Sequence, residues 1–414
     1  MTSIVCVPDL LRGTRAFPEG FFDLIREPVA QGSGIDIGHS IACPRAASAH
    51  GFDVNRFTQL LGLGSANGEP SLHWARNYHE LNCGDAALDY LFSRIPPDTL
   101  VLAFEMPPWL QAACDMRGVR FLDLRASPLR FGRDLYVALA TSDKALTERI
   151  DASAVCADEL KLEAALLAAN VQMHLQRLHE HDADFAEGDA SLDDALIFVG
   201  QAPFDASILC PRKGRPLRVT DFAKELRTLA GGRHKLLHKP HPFAIDFGNE
   251  ERAALGETLG REVETVHFNA YQILSSKRRV ALTGISSGLL QEARWFGKEA
   301  HVLFEPFVPL ACDAAGHSTS KPYHQIRFQD LIAPAFWHGL LTPERPAPRL
   351  AALPLLPHHH ARETLDHWWD YEKVLTWRRS LPHAAFERLG GGLLRQRIGA
   401  IEDELRRAIA ERVH

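Results

Sequence analysis

Paired cysteines, a surplus of basic charge and any long apolar run are all missing from this 414-residue chain. Its seven cysteines (Cys6, Cys43, Cys83, Cys114, Cys156, Cys210, Cys312) are odd in number, scattered and never spaced as CxxC. That pattern excludes a disulfide framework and a cysteine zinc site, and fits free thiols in a reducing compartment. The stretch from Met1 to Pro8 has neither the charged flank nor the apolar core of a leader, so no secretory signal is expected. No segment approaches the ~20 apolar residues that cross a bilayer. Lys+Arg 46 against Asp+Glu 52 gives a formal charge of −6, which argues against nucleic acid as a partner. A cytoplasmic protein is expected, with at most peripheral contact at the inner face of a membrane.

What is present is an ordinary globular composition, 46% hydrophobic and 24% charged, in a length that suits two domains of about 200 residues. A strand is predicted at Ser3 to Val7 and a helix at Phe21 to Ile25. Residues 31–68 are rich in Gly and Ser with little periodicity, the composition of loops that line a site. Thr99 to Phe104 and Val119 to Leu124 read as strands around a helix at Pro108 to Met116. Leu160, Leu162, Leu166, Leu167, Val171, Leu175 and Leu178 predict a long helix over 157–180.

Residues 181–194 carry six acidic side chains and no Lys or Arg, the signature of a linker. Beyond it, strands are predicted at Leu196 to Val199, Lys235 to His238, Val263 to His267, Arg279 to Leu282 and His301 to Leu303. Helices are predicted at Asp221 to Leu229, with Asp221 as N-cap, and at Ser287 to Phe296. This alternation implies an α/β fold with parallel sheets covered by helices on both faces. Trp368, Trp369, Tyr371 and Trp377, then a stripe of Leu394, Ile398, Ile401, Leu405 and Ile409, predict C-terminal helices. They would pack back across both domains or mediate oligomerisation. The expected organisation is therefore 1–190, 195–350 and a helical tail at 360–414.

Four segments carry candidate chemistry. In Leu236-Leu-His-Lys-Pro-His-Pro242 a strand ends in a basic pair, and Lys239 with His241 would meet a phosphate oxygen at a strand's carboxyl end. Thr283-Gly-Ile-Ser-Ser-Gly-Leu-Leu-Gln-Glu292 is a small-residue turn opening a helix. Ser286 and Ser287 there offer hydroxyls and free N–H groups to an anion, with one serine capping the helix. Val199-Gly-Gln-Ala-Pro-Phe-Asp-Ala-Ser-Ile208 places Gln201, Asp205 and Ser207 after a strand, either in a site or as a simple turn. In Leu102-Ala-Phe-Glu-Met-Pro-Pro-Trp109, Glu105 follows a strand among apolar neighbours expected to raise a carboxyl pKa. Glu105 and Asp205 come from different halves, and if the halves close on one cleft they form the acid pair of a glycosyl-transfer site. His358-His-His360 cannot converge on one ion, so no metal is expected. Trp74, Arg76 and Tyr78 read as a packed loop before a sugar-stacking one.

The Gly200-Gln-Ala-Pro-Phe-Asp-Ala-Ser207 block, the His-Lys-Pro-His-Pro block and the Thr-Gly-Ile-Ser-Ser-Gly turn resemble, in this order, the bacterial β-Kdo transferases of capsule and O-antigen synthesis. These are the KpsC-type capsule proteins and the Kdo module of WbbB-like polymerases. Phe104-Glu-Met-Pro-Pro, Val119-Arg-Phe-Leu-Asp-Leu and Ser127-Pro-Leu-Arg-Phe131 look like that family's Tyr-Glu-Leu-Ser, Pro-Tyr-Ile-Asp and His-Pro-Ile-Arg-Phe series. Ser127 stands where the family has His, and Arg130 is kept. The resemblance spans about residues 100 to 310. It implies a GT-B fold of two Rossmann-like domains facing a cleft, and a retaining enzyme that uses CMP-Kdo, with no resident cofactor. It also implies Asp205 as nucleophile and Glu105 as acid/base. Lys239, His241, Ser286 and Ser287 would hold the CMP phosphate, Gln201 would lie on the donor side, and Arg130 would meet the Kdo carboxylate. Glu292 is placed at the cytidine ribose by analogy with other GT-B folds. The implied partners are CMP-Kdo, a glycan or lipid-linked acceptor and polysaccharide-assembly proteins. An inverting, sialyltransferase-like CMP-sugar enzyme and a non-catalytic nucleotide- or glycan-binding scaffold are the alternatives. The acceptor is not readable, and residues 31–98 are expected to shape its pocket.

Overall fold

The computed structural model describes residues 3–347, apart from 12–15, 39, 43–50, 64–72, 75–76, 79–82, 133, 182–189, 204, 211, 214, 242–243, 267 and 314–320. The expected tail helices, the His358-His-His360 run, Arg76, and Phe204 and Pro242 of the motif loops lie outside the described residues.

The first lobe is built on β1 (Ser3–Pro8), β2 (Thr99–Phe104), β3 (Arg120–Ala126) and β4 (Tyr136–Thr141). β2 is buried at every position, as a strand covered on both faces must be. β1, β2 and β3 run parallel, whereas β4 pairs antiparallel with β3. The helix Pro108–Arg117 joins β2 to β3. It starts on proline, whose missing N–H is no loss in a first turn, and ends on Gly118 in the left-handed region. The expected helix at 21–25 is the middle of a longer one, Ala16–Ser33, which buries Phe21, Phe22 and Ile25 completely.

The second lobe contains β5 (Ala195–Val199), the two-residue pair β6 (Leu209–Cys210) and β7 (Arg215–Pro216), then β8 (Lys235–Lys239), β9 (Glu264–Thr265), β10 (Val280–Gly284) and β11 (Glu299–Val302). Apart from β6 and β7 these strands form one parallel sheet in the order β11-β10-β5-β8-β9. β5 is central, so the loops that follow β10, β5 and β8 leave from adjacent strand ends. Asp221 departs from its expected role. The helix begins at Ala223, behind the 3-10 turn Val219–Phe222. The Asp221 carboxylate instead accepts the Arg218 N–H at 2.8 Å and pairs with Arg215 at 2.6 Å.

The chain then returns to the first lobe, earlier than the boundary at 350 expected from sequence. β12 (His324–Arg327) pairs antiparallel with β4, completing the order β1-β2-β3-β4-β12. That sheet is therefore mixed at one edge, whereas parallel pairing throughout was expected. The helix Pro334–Leu341 lies so close to the helix Ala16–Ser33 that a Cβ on Gly32 would collide with the Pro334 carbonyl. The result is a two-lobed α/β architecture, with the returning segment fastened to the first lobe. No helix among the described residues is long and apolar enough to cross a membrane.

Candidate functional site

Three loops of the second lobe are laced together by their own side chains. Asp205 precedes the 3-10 turn Ala206–Ile208, and its Oδ1 accepts the Ser207 N–H at 2.9 Å. Its Oδ2 has no hydrogen bond among the described residues. The Ser207 hydroxyl accepts from Nε2 of Gln201 at 2.9 Å, and Gln201 Oε1 accepts the Ser286 N–H at 2.7 Å. Ser286 donates its hydroxyl to the Glu305 carbonyl at 2.8 Å. Gln201 and Ser286 are both buried, so these two residues, expected on the donor, use their polar atoms to join the end of β5 to the end of β10. Ser287 holds the N-cap position of the helix Gly288–Ala293, but makes none of the expected capping bonds with its side chain. Gln201 and Glu305 secure the turn from outside instead. The half-buried Ser287 hydroxyl is left without a partner among the described residues.

Lys239 ends β8 beside Val199, the last residue of β5. Burial lowers its pKa from 10.5 to about 8, and no carboxylate among the described residues offsets that cost. The next loop brings in His241. Burial lowers its pKa; the Asp205 carboxylate opposes this, while Arg130 and Lys239 reinforce it. One imidazole therefore senses Asp205 and Lys239 of its own lobe and Arg130 of the other. Beneath them lies a pair that sequence reasoning missed: buried His238 meets Glu251 at 2.9 Å. A Cβ at Gly200 would stand 2.5 Å from Glu251 Oε2, so only glycine lets the β5 loop approach this pair.

In the first lobe Glu105 is half-buried and follows β2 with φ +54, a left-handed conformation that a glutamate adopts only under constraint. Its N–H donates to the Leu124 carbonyl at 2.8 Å, extending the β2–β3 ladder by one residue. The next residue, Met106, is held at its N–H by Asp123 and at its carbonyl by Arg125. Burial raises the pKa of Asp123, while Arg125 and the Tyr323 hydroxyl lower it. Neither Asp123 nor Arg125 was singled out as a site residue. Period-two polar positions on a strand ordinarily face solvent.

The two acids are linked through Tyr78. Its hydroxyl donates to the Met106 carbonyl at 3.4 Å, next to Glu105, while its ring packs with Ala206 and Leu209, next to Asp205. Burial pushes its phenol above the usual range; Arg125 opposes this, and the carboxylates of Asp123, Glu105 and Asp9 add to it. Trp74 lies against Tyr78, ring centroids 5.7 Å apart, and donates Nε1–H to Asp9. Trp74 and Tyr78 are helical and use their rings and polar atoms in packing, while Arg76 lies outside the described residues. A second link runs through Glu292, whose Oε1 accepts the Arg130 N–H at 2.6 Å and the Tyr271 hydroxyl at 2.9 Å. Glu292 is 3% exposed and acts here as a clasp between lobes. Ser127, where the resembled family has His, is buried and bonded to Gln325 of β12. Among the described residues, no cluster of three or more His, Cys, Asp or Glu is grouped to hold a metal ion.

No family model and no curated protein matches the chain. Among solved structures it is similar to the β-Kdo 2,7 transferase of Thermosulfurimonas dismutans KpsC. That match has 15% identity and a TM-score of 0.32, over 70% of this chain and 90% of that one. It is also similar to the β-Kdo 2,4 transferase of the same KpsC, with 16% identity and a TM-score of 0.29, over 58% of this chain and 78% of that one.

Proposed function

We propose that the chain is a retaining glycosyltransferase that moves Kdo from CMP-Kdo to a glycan acceptor by double displacement. The observation that carries this reading is that the loops bearing Asp205, Lys239 with His241, and Ser287 leave adjacent strand ends, where the charges of Asp205, Lys239 and, from the opposite lobe, Arg130 all act on His241. Glu105 stands across Tyr78 from Asp205.

Kdo is a ketose whose anomeric carbon, C2, bears a carboxylate, so departure of CMP develops positive charge beside a fixed negative one. Asp205 Oδ2 attacks C2 while the C2–O bond to phosphate breaks and its electron pair leaves with CMP. The phosphate departs as an anion and needs no proton. The Lys239 ammonium, half-buried and without a carboxylate partner among the described residues, stabilises it together with the Ser287 hydroxyl and His241. Arg130 faces the Kdo carboxylate. An acceptor hydroxyl then attacks C2 as the bond to Asp205 breaks, and Glu105 takes the hydroxyl proton. Two successive inversions give net retention.

Gln201, Ser286 and Glu292 serve the same reaction from behind, the first two by fixing the Asp205 loop and the third by fixing the backbone at Arg130. No metal is required, because Lys239 supplies the charge that a divalent cation would otherwise bring to the leaving group. On this reading the acceptor is a glycan or lipid-linked glycan of a bacterial capsule or O-antigen, extended on the cytoplasmic side of the inner membrane. Release of CMP from CMP-Kdo in the presence of such an acceptor tests the proposal. Asp205→Asn is expected to lower turnover by roughly 1,000-fold or more. A variant turning over near the native rate would refute the nucleophile assignment.

A further inference from the structure

We propose that the buried Asp123–Arg125 ion pair is the positioning device for Glu105, clamping the peptide after it so that its carboxyl faces the transferred sugar. The proposal rests on the reading of Glu105 as the acid/base residue. The clamp is complete on both sides of that residue. The Glu105 N–H is fixed by Leu124 of the strand ladder. The Met106 N–H donates to Asp123 Oδ1 at 2.8 Å, and the Met106 carbonyl accepts from Arg125 Nη2 at 2.7 Å. With its neighbours pinned, Glu105 is forced to its φ of +54, a conformation that persists only where surrounding structure over-determines it.

The ion pair is itself braced. Arg125 Nε donates to Asp123 Oδ2 at 2.9 Å, and the Tyr323 hydroxyl donates to the same oxygen at 2.6 Å. The guanidinium lies 5.1 Å from the Phe307 ring centroid and 4.9 Å from that of Tyr323. An ion pair 0% and 5% exposed contributes little to stability that an apolar pair would not, so its presence asks for a further reason. What it grips is the residue after Glu105. It also reaches the other acid. Arg125 Nη1 donates to the Phe307 carbonyl at 3.3 Å, and the Phe307 ring packs on Tyr78, which touches Ala206 beside Asp205. The same guanidinium thus references the Glu105 loop to the wall under the nucleophile. In this role Asp123 and Arg125 touch no substrate and act by positioning Glu105.

The experiment separates the two chemical steps. Adduct formation from CMP-Kdo alone, read by intact mass, reports the first, in which Glu105 takes no part; acceptor-dependent turnover reports the second. Arg125→Lys, Tyr323→Phe, Glu105→Gln and the double variant Glu105→Gln/Arg125→Lys are compared, with folding checked by circular dichroism. Arg125→Lys is expected to lose roughly 10- to 100-fold in kcat with an unchanged KM for CMP-Kdo and a native rate of adduct formation. Tyr323→Phe, nearly isosteric, covers the case in which Arg125→Lys does not fold, and is expected to lose several-fold. The double variant should be no slower than Glu105→Gln. Native turnover in folded Arg125→Lys or Tyr323→Phe overturns the proposal. So does a double variant whose losses multiply, or an equal loss in adduct formation, because each marks a general structural role. Native turnover in Glu105→Gln instead removes the acid/base reading, and the proposal with it.

Discussion

Lys239→Met should make the protein more stable while weakening its affinity for nucleotide. Burial lowers the Lys239 pKa from 10.5 to about 8, so at pH 7 the folded protein carries an ammonium it would rather shed. At ~1.36 kcal/mol for each pH unit between those values, and allowing for the half-buried position, the charge costs the folded state about 2 to 3 kcal/mol. The direction follows from proton counts. Between about pH 8 and 10.5 the unfolded chain binds the extra proton, so this group's contribution makes stability rise with pH across that window. Below it the full penalty applies; above it there is none. Methionine keeps the apolar stem and removes the charge. Denaturant unfolding of both proteins at pH 7 and above pH 10.5 should show a gain of about 2 to 3 kcal/mol at the lower pH that vanishes at the higher. Titration with CMP at pH 7 should show a loss of roughly 10- to 100-fold, the value of one charge-assisted hydrogen bond. A variant no more stable than the native protein at pH 7, or one whose gain is independent of pH, would refute the reasoning.

Gly200→Ala would push a Cβ to 2.5 Å from Glu251 Oε2 and 3.1 Å from His238 Nε2, and is expected to lower stability by roughly 1 to 3 kcal/mol in thermal unfolding. Glu292→Ala leaves the Arg130 N–H and the Tyr271 hydroxyl without their shared acceptor. A loss of about 2 kcal/mol or more and slower adduct formation should follow, and an unchanged melting curve would count against the clasp. The adjacent serines should separate cleanly. Ser286→Ala removes an internal bond and should cost about 1 kcal/mol of stability, whereas Ser287→Ala should leave stability alone and weaken CMP binding several-fold by calorimetry.

How much of this was legible in the chain depended on the distance over which each feature is decided. β2 is a continuous apolar run covered on both faces, and sequence marks it with the same bounds the structure shows. β12, His-Gln-Ile-Arg, has one apolar residue in four and is a strand only because β4 offers it an edge. The motif-bearing strands β5, β8 and β10 could be placed, but that they are neighbours in the sheet is a fact of topology that spacing does not encode. Asp205, Lys239 and Glu105 stood out because polar groups right after apolar strands have an obvious place at the strand end. Asp123 and Arg125 did not, because Arg-Phe-Leu-Asp-Leu-Arg-Ala reads as alternating with its polar side toward water. Phe307 and Tyr323, some 180 to 200 positions downstream, cover that side and turn an apparent surface into a core. The Ser287 cap failed for a related reason, since partners at 201 and 305 had already secured the turn.

The most direct measurement is the intact mass of the purified protein after incubation with CMP-Kdo and no acceptor. A gain of one Kdo residue is expected, localised by peptide mapping to Asp205, absent in Asp205→Asn and discharged when acceptor is added. A preparation that transfers Kdo but never carries the sugar, or carries it on another side chain, would contradict the account.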